Sequence, residues 1–460
     1  MAASAGSSRI CLASPNIMNP TTSSLGIPGT HRRTLTACGI CAGVFVCLMF
    51  SVVSAEEMRT WTSADGERTF MGQLQGYNPD AGEVTVTRQN GQSITFNQSV
   101  LSEADIAYLA EQGAVDAPPT APAAANAAPP AGGGGLNPDA IGFGLEGYDG
   151  READMTKPVK VFILLGQSNM LGFGRISGGD GSLEHAVKEK GLYPYLVDDQ
   201  GEWITRKDVR NVRVMNDDMR VFNNEWMTIT DSNIGPEIGI GHFLGNALEE
   251  PVMILKSCIG NRSLGWDLLP PGSESYTFDG KVYPGYGETE ATAGTGQRGE
   301  GWYAGKQWDT DIGNVKRVLE NLDTFYPEAN GYEVVGFFWW QGDKDMRNNA
   351  HASRYELNLV HLINTLRETF DAPNAKFVCA TLGQTQEGAG GGQGKLLEAK
   401  MAVDGESGKY PGFKGNVATV YTHPLSKGGS SSSHYGNNAE TYMNVGEAMG
   451  EAMVELLIGK

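Results

Sequence analysis

Short apolar runs alternate with stretches of helical periodicity from about residue 157 to residue 459. Such runs are typical of parallel strands that are buried on both faces. Because parallel strands need a crossover connection, the alternation predicts an α/β domain whose doubly wound, five-stranded parallel sheet is covered by helices on both faces. The predicted strands are Val159–Leu165, Val252–Lys256, Val334–Trp340, Lys376–Leu382 and Asn416–Tyr421. The predicted helices are Pro236–Leu248, Ile312–Leu322, Ala352–Phe370, Lys395–Val403 and Glu440–Leu457.

Three polar clusters follow predicted strands, and sites in open α/β sheets form beyond the carboxyl ends of the strands. The clusters are Gly166–Met170 (GQSNM), Cys258–Trp266 (CIGNRSLGW) and Trp339–Asp345 (WWQGDKD). A serine at a strand-to-loop junction presents its hydroxyl at the top of the sheet, where neighbouring backbone amides can face an oxyanion. A glycine lets the backbone approach a ligand closely. Taken singly, each cluster also fits an ordinary turn, and the paired tryptophans fit a core.

The three clusters, in this order, resemble the conserved blocks of the SGNH hydrolases. The closest resemblance is to the branch that contains the sialate O-acetylesterases and carbohydrate esterase family 6. GQSNM matches that branch's nucleophile block as it stands. CIGNRSLGW resembles its G-G-T-x-L-x-x-W block, with Asn261 in place of the second glycine, and WWQGDKD resembles its Q-G-E-x-D block, with Asp343 in place of glutamate. His434-Tyr435-Gly436 matches the block that supplies the base, and Ile234–Glu237 matches another recurrent segment.

This resemblance implies a flavodoxin-like, five-stranded SGNH hydrolase fold and a serine esterase that removes O-acetyl groups from carbohydrate. It implies that Ser168 is the nucleophile and His434 the general base, without a cofactor. The oxyanion would be held by the amides of Ser168 and Gly260 and by the side chain of Gln341. The residues expected to bind substrate are Gln167, Asn169, Asn261 and Trp340.

The segment before His434 departs from the family pattern. Many members have an aspartate three residues before the histidine, where this chain has Ser431, and no Asp or Glu occurs between Val420 and His434. The imidazole therefore needs an orienting acid from elsewhere, or works without one. In the family the acid of the Q-G-E block can fill this role, which indicates Asp343, with Asp345 as the next candidate.

Two other histidines fit other roles. His423 is an alternative base, but it lacks the following tyrosine and is expected at a strand end. His242 lies on a predicted helix and is expected to pack in the core.

Two functions from different classes follow from these observations. The first is a carbohydrate O-acetylesterase that works through an acetyl-enzyme. The second is a glycan-binding module on a scaffold of this type whose catalysis has decayed, which the missing aspartate before His434 motivates. The intact GQSNM block favours the enzyme.

Residues 1–55 are predicted to form a signal peptide. The basic His31-Arg32-Arg33 precedes the uncharged, apolar stretch Ala37–Ala55, whose small-residue end predicts cleavage after Ala55. An uncut signal anchor and a start of translation at Met18 are the alternatives. The segment predicts a protein that is secreted or periplasmic.

Residues 56–114 show short alternating stretches separated by turn signals, which predicts a small all-β unit. Arg59–Thr62, Asp65-Gly66, Val84–Val86 and Leu101–Asp105 carry a resemblance to the SH3-like Sla-type homology domain of bacterial exported proteins. That resemblance implies an interaction or spacer module, which could bind a protein partner. Residues 115–150, rich in Ala, Pro and Gly, predict a linker, and residues 151–460 form the predicted esterase domain.

Charge and composition exclude several functions. The formal net charge of −19 argues against binding to nucleic acid or to anionic lipid. The sequence has no metal-ligand spacing such as HExxH or CxxC, so no metal is implied. Outside the leader only Cys258 and Cys379 remain, and their apolar surroundings predict buried free thiols.

Overall fold

The computed structural model describes residues 58–64, 69–79, 81–88, 93–112, 145, 147–230, 232–289 and 301–459. The predicted leader and most of the predicted linker lie outside these residues.

The first described segment forms a four-stranded antiparallel sheet in the order β1-β2-β3-β4, followed by helix α1. The carboxylate of Asp105 on α1 accepts hydrogen bonds from the Arg59 guanidinium (2.6 Å) and the Thr62 amide (2.7 Å), which ties the helix to β1. Trp61 lies in the middle of the core of this sheet and is fully buried. The elements are β1 (Arg59–Thr62), β2 (Thr69–Asn78), β3 (Glu83–Arg88), β4 (Ser93–Asn97) and α1 (Glu103–Gln112).

The second part of the chain is built on a seven-stranded sheet in the order β15-β14-β13-β5-β10-β7-β8, in which every neighbouring pair is parallel except β7 and β8. Its strands are β5 (Val159–Gly166), β7 (Arg206–Met215), β8 (Arg220–Met227), β10 (Val252–Lys256), β13 (Tyr332–Trp340), β14 (Lys376–Ala380) and β15 (Val417–Val420). Two short antiparallel pairs lie outside it and join β6 (Gly174–Arg175) to β9 (Asn233–Ile234) and β11 (Tyr276–Phe278) to β12 (Lys281–Tyr283).

All five predicted strands are present, but the predicted number of five for the sheet is wrong. Numbered by themselves along the chain, the five lie in the order 2-1-3-4-5, which is the order of flavodoxin-like sheets. The additional strands β7 and β8 extend the sheet beyond β10. Arginines and an aspartate interrupt the apolar residues of β7, so it does not read as an apolar run; Arg206 is nevertheless buried, because it pairs with Asp208 (2.6 Å).

Helices cover both faces of the large sheet, as predicted, and the alternation of side chains along the strands divides the core in two. The helices of this part are α2 (Ser168–Leu171), α3 (Glu237–Ala247), α4 (Lys306–Glu320), α5 (Leu322–Phe325), α6 (Asn349–Thr369), α7 (Gly391–Val403) and α8 (Ala439–Ile458). Val161, Ile163 and Leu165 of β5 pack on one side with α4, α6 and α7, whereas Phe162 and Leu164 pack on the other side with α3 and α8.

The last residues of the predicted linker pack against the large sheet. The Tyr148 hydroxyl accepts a hydrogen bond from the Lys207 amide (3.2 Å), and the Arg206 guanidinium lies 4.8 Å from the centre of the Tyr148 ring. The packed structure therefore begins before residue 151, the predicted boundary.

Both remaining cysteines are free and buried, as predicted. Burial raises the pKa of Cys258 to about 12 and that of Cys379 to about 11, so both stay protonated at neutral pH. Within the described residues, no helix is both long enough and apolar enough to cross a bilayer.

Candidate active site

The carboxyl ends of β5, β10 and β13 meet at one edge of the large sheet. Gly166 at the end of β5 pairs with Trp340 at the end of β13, and Leu164 pairs with Lys256 at the end of β10. The three predicted polar clusters follow these strands directly. The parallel register therefore brings the clusters to one edge of the sheet.

Ser168 is the first residue of the short helix α2, directly beyond β5, and only 7% of it is exposed. Its amide has no partner within the helix, because the first amides of a helix lack one. Gly166 makes the sharp exit from the strand: its φ is +149°, and a β-carbon there would lie 2.5 Å from the Trp340 carbonyl oxygen. Glycine is thus required two residues before Ser168.

Gly260, in the loop after β10, approaches the serine. A β-carbon at Gly260 would lie 3.5 Å from the β-carbon of Ser168, its one neighbour within 4 Å. The next residue, Asn261, is exposed and has a φ of +57°, which turns the chain away from the sheet. Of the four residues expected to bind substrate, Asn261 is the one that the structure leaves exposed.

The end of α2 is held by a buried ion pair that the sequence analysis missed. The Lys256 ammonium donates to the Leu171 carbonyl (2.9 Å) and pairs with the Glu237 carboxylate (2.6 Å). The other Glu237 oxygen accepts from the Gly235 amide (2.9 Å). The segment Ile234–Glu237, noticed only for its family resemblance, thus supports the helix that begins with Ser168.

His434 lies in a left-handed turn next to α2. Four consecutive residues, His434 to Asn437, have φ between 51° and 60°. Non-glycine residues in this region cost about 1–3 kcal/mol each, and such strain clusters at functional sites. Tyr435 anchors the turn: its hydroxyl accepts from the Gly383 amide (3.1 Å), and its ring stacks on Trp340.

The imidazole of His434 is stacked on the ring of Phe173, with centroids 4.0 Å apart and planes 6° apart. Phe173 follows α2 by two residues, and α2 itself packs against the segment Ser431–Asn437. The structure therefore brings Ser168 and His434 into neighbouring segments. Phe173 was not identified from the sequence, since a single aromatic residue after the nucleophile block carries no signal.

Partial burial lowers the pKa of His434 below its ordinary value, and the nearby Asp343 carboxylate opposes that shift. The histidine is thus neutral at neutral pH, the state in which it can accept a proton. Among the described residues no hydrogen bond joins Asp343 to His434 directly, so the carboxylate acts on the imidazole through its charge.

Asp343 is almost fully buried, and each of its carboxylate oxygens has one partner. Oδ1 accepts from the Ser431 hydroxyl (2.8 Å), and Oδ2 accepts from the Arg347 guanidinium (2.8 Å). Ser431 occupies the position where many family members have an aspartate. The contact between Ser431 and Asp343 has no signal in the sequence, because it joins residues 88 positions apart.

Gln341 is committed to the protein interior, which does not favour its expected role in the oxyanion hole. Its side-chain NH₂ donates to Gln167 Oε1 (3.2 Å), to the Arg262 carbonyl (2.8 Å) and to Asp345 (2.5 Å), while its oxygen accepts from the Tyr355 hydroxyl (2.9 Å). With both amide hydrogens engaged, Gln341 fastens the three loops together instead of facing a substrate.

Asp345 joins the third cluster to the second. It is fully buried and accepts from the amides of Leu264 (2.9 Å) and Gly265 (2.8 Å). These bonds fix the loop that carries Gly260. Asp345 therefore joins two loops of the candidate site, whereas the charge of Asp343 is the one that acts on His434.

Three of the residues expected to bind substrate are buried. Trp340 is fully buried in the core, where its indole N–H donates to the Thr381 carbonyl (3.0 Å). The reason is that β13 lies inside the sheet, so successive side chains enter the two cores. Gln167 holds Gln341, and Asn169 is 1% exposed. This geometry does not favour a substrate-binding role for Trp340 or Gln167.

The other histidines have structural contacts. Nδ1 of His423 lies 2.7 Å from the Gly383 carbonyl oxygen. His242 is buried and packs against the ring of Tyr195, as its helix position predicts. In the described part of the chain, no group of three or more His, Cys, Asp or Glu side chains is placed to hold a metal ion.

Part of the chain matches the model of one protein family. Residues 291–455 match the model of the family described as carbohydrate esterase, sialic acid-specific acetylesterase. This segment, less than half of the chain, contains Gln341, Asp343 and His434, whereas Ser168 and Gly260 lie before it. A search of curated proteins finds no match.

Solved structures that are similar to this chain include a protein from Arabidopsis thaliana and NanS. The first has a TM-score of 0.39 and 15% identity, and the alignment covers 65% of this chain and 99% of that one. NanS has a TM-score of 0.32 and 12% identity, with 58% of this chain and 78% of that one covered.

Proposed function

We propose that this chain is a serine esterase of the SGNH type that removes O-acetyl groups from carbohydrate. The observation that carries the proposal is that Gly260 lies beside Ser168 and that the helix beginning with Ser168 packs against the segment that contains His434. The family match of residues 291–455 supports ester hydrolysis on a carbohydrate.

In this mechanism the neutral imidazole of His434 takes the proton of the Ser168 hydroxyl as Oγ attacks the acetyl carbonyl carbon. The carbonyl electrons move to the oxygen, and the amides of Ser168 and Gly260 stabilise the resulting oxyanion. When the intermediate collapses, the bond to the sugar oxygen breaks and the imidazolium returns its proton to that oxygen. A water molecule then attacks the acetyl-enzyme with the same histidine as base, which releases acetate and restores Ser168.

Asp343 is the acid that stabilises the imidazolium in this proposal. Its carboxylate opposes the lowering of the pKa of His434, which is the effect expected of a negative charge near the ring. The absence of an aspartate at position 431 is therefore compatible with catalysis, and it no longer favours a decayed binding module.

We also propose that the protein is exported by the leader of residues 1–55 and that the small N-terminal sheet contacts a protein partner. The basic flank and the apolar stretch before Ala55 support export. Detection of the mature chain outside the cytoplasm, with Glu56 as its first residue, would test the proposal of export.

Acetate release from a panel of acetylated glycans tests the main proposal. We expect the chain from Glu56 onward to release acetate, and its Ser168→Ala variant to lose at least about a thousandfold in rate. Ser432→Ala, an exposed serine in the loop before His434, is the matched control and should retain activity. A serine-reactive fluorophosphonate should label Ser168. A folded protein that binds a glycan but neither releases acetate nor reacts with the probe would indicate a binding module.

A further inference from the structure

Ser431 forms a specific pair with Asp343. The hydroxyl of Ser431 donates to Asp343 Oδ1 (2.8 Å), and its backbone amide donates to Gln384 Oε1 (3.1 Å). The residue is 1% exposed, so the contact is shielded from water. The neighbouring Ser432 differs: it is exposed, and its hydroxyl lies 2.9 Å from that of Ser430.

The two residues come from different parts of the fold. Asp343 follows β13, at the carboxyl end of the sheet, and Ser431 lies three residues before His434 in the segment before α8. The hydrogen bond therefore fastens the segment that carries the base to the strand end that carries the acid. Arg347 holds the second carboxylate oxygen at 2.8 Å, so the carboxylate is fixed on both sides.

The residue types at the two positions are complementary. A carboxylate only accepts hydrogen bonds when it is ionised, and a hydroxyl donates one. Two carboxylates at this distance would repel each other, and one of them would take up a proton. One acid and one donor are therefore the combination that keeps a single negative charge beside His434.

We propose that Ser431 is a positioning residue, which fixes the Asp343 carboxylate near His434, and that the pair together replaces an acid on the histidine's own segment. The inference rests on the proposed esterase function. The negative charge near the histidine belongs to Asp343, which follows β13. The hydrogen bond from Ser431 fixes the segment of the histidine relative to this strand end.

The pH dependence of turnover by the full-length protein tests this role. Asp343→Asn should lower kcat by on the order of a hundredfold or more and move the acidic limb of the profile to lower pH, because the charge that opposes the lowering of the histidine pKa is gone. Ser431→Ala should lower kcat about tenfold and move the same limb in the same direction. Ser432→Ala, the matched control, should match the wild type.

A charge swap provides the decisive variant. Asp343→Asn combined with Ser431→Asp places a single carboxylate at the other end of the same contact. We expect it to recover at least about tenfold of the kcat that Asp343→Asn loses, whereas a residue that only stabilises the fold would give no recovery. Thermal unfolding of each variant checks that the protein is folded.

The outcomes separate this inference from the proposed function. If the wild type is inactive, or if Ser168→Ala is as active as the wild type, the esterase proposal fails. If Ser168 is essential but Ser431→Ala has the kcat and pH profile of Ser432→Ala, the positioning role is overturned while the esterase stands. A swap variant no better than Asp343→Asn would also overturn it.

Discussion

At the scale of single residues, the hydrogen that Gly260 has for a side chain leaves room beside Ser168. We expect Gly260→Ala to fold normally, because its β-carbon would meet one atom, at the ordinary contact distance of 3.5 Å. The methyl group would nevertheless occupy the space in front of the serine and displace the reacting carbonyl. The rate should fall at least about tenfold, since displacements on the order of 1 Å cost that much or more. Comparison of the melting temperature and kcat of this variant with those of the wild type measures both effects.

Gly166→Ala is the matched contrast to this variant. Its β-carbon would lie 2.5 Å from a backbone oxygen, and its φ of +149° disfavours any side chain. This variant should lose stability as well as activity. If both variants lost the same stability, the difference in space around the two glycines would not explain the result.

The titration of His434 also belongs to this scale. Burial lowers its pKa below the ordinary value of 6.5, so the neutral base persists as the pH falls through 6.5. We therefore expect kcat/KM of the wild type to decline only below pH 6.5, as the imidazole takes up a proton. Measurement of kcat/KM between pH 4 and 8 gives the pH at which the rate declines on the acidic side. An acidic limb above pH 6.5 would contradict the burial argument or the assignment of the base.

At the scale of elements, the pair Lys256–Glu237 joins the end of β10 and the start of α3 to the end of α2. Lys256→Met should destabilise the fold by about 3–5 kcal/mol, because Glu237 would be left buried without its partner. Adding Glu237→Gln removes the unpaired charge and keeps an acceptor for the Gly235 amide, so part of the stability should return. Denaturant unfolding gives the free energies.

Activity distinguishes support of α2 from bulk stability in these variants. The double variant still lacks the ammonium that binds the Leu171 carbonyl, so kcat should stay reduced even where stability is regained. A double variant with wild-type kcat would show that the contact to α2 does not position Ser168.

The elements predicted from sequence are those with a strong apolar signal. The five apolar strands were found to within two residues, because burial on both faces leaves little polar sequence in such strands, whereas α4 begins six residues before its predicted start. Strand β7 was missed because its charged residues interrupt the apolar pattern, and their burial depends on contacts such as the hydrogen bond from Arg210 to the Asn224 side chain on β8 (2.8 Å). The same limit applies to Trp340, whose burial depends on the position of β13 within the sheet.

Residues of the candidate site that lie in a local motif could be predicted from the sequence. Roles that depend on contacts between distant residues could not. Local motifs name Ser168, Gly260 and His434; the structure brings Gly260 beside Ser168 and packs the helix of Ser168 against the segment that contains His434. The role of Ser431 depends on a hydrogen bond to a residue 88 positions away, which no local pattern encodes. Gln341 shows the converse, because its motif indicated an oxyanion donor, but its hydrogens are used inside the protein.

At the scale of the whole molecule, the described residues form separate cores. The core of the small sheet contains Trp61, Val84 and Leu109 and no residue beyond 112, whereas the two cores of the large sheet contain residues from Leu145 onward. Each part thus buries its own apolar surface, which is the physical requirement for independent folding.

We therefore expect a chain of residues 145–460 to fold and to retain the kcat of the full chain. A chain that begins at Ala153 is the matched comparison. It lacks Tyr148, so Arg206 loses its aromatic contact and the Lys207 amide loses its acceptor. The shorter chain should melt several degrees lower, since about 1–2 kcal/mol is lost from a domain of this size. Equal melting temperatures would show that residues 145–152 do not stabilise the domain, which would agree with the prediction that the linker extends to residue 150. Loss of activity in the 145–460 chain would show that the small sheet takes part in the reaction.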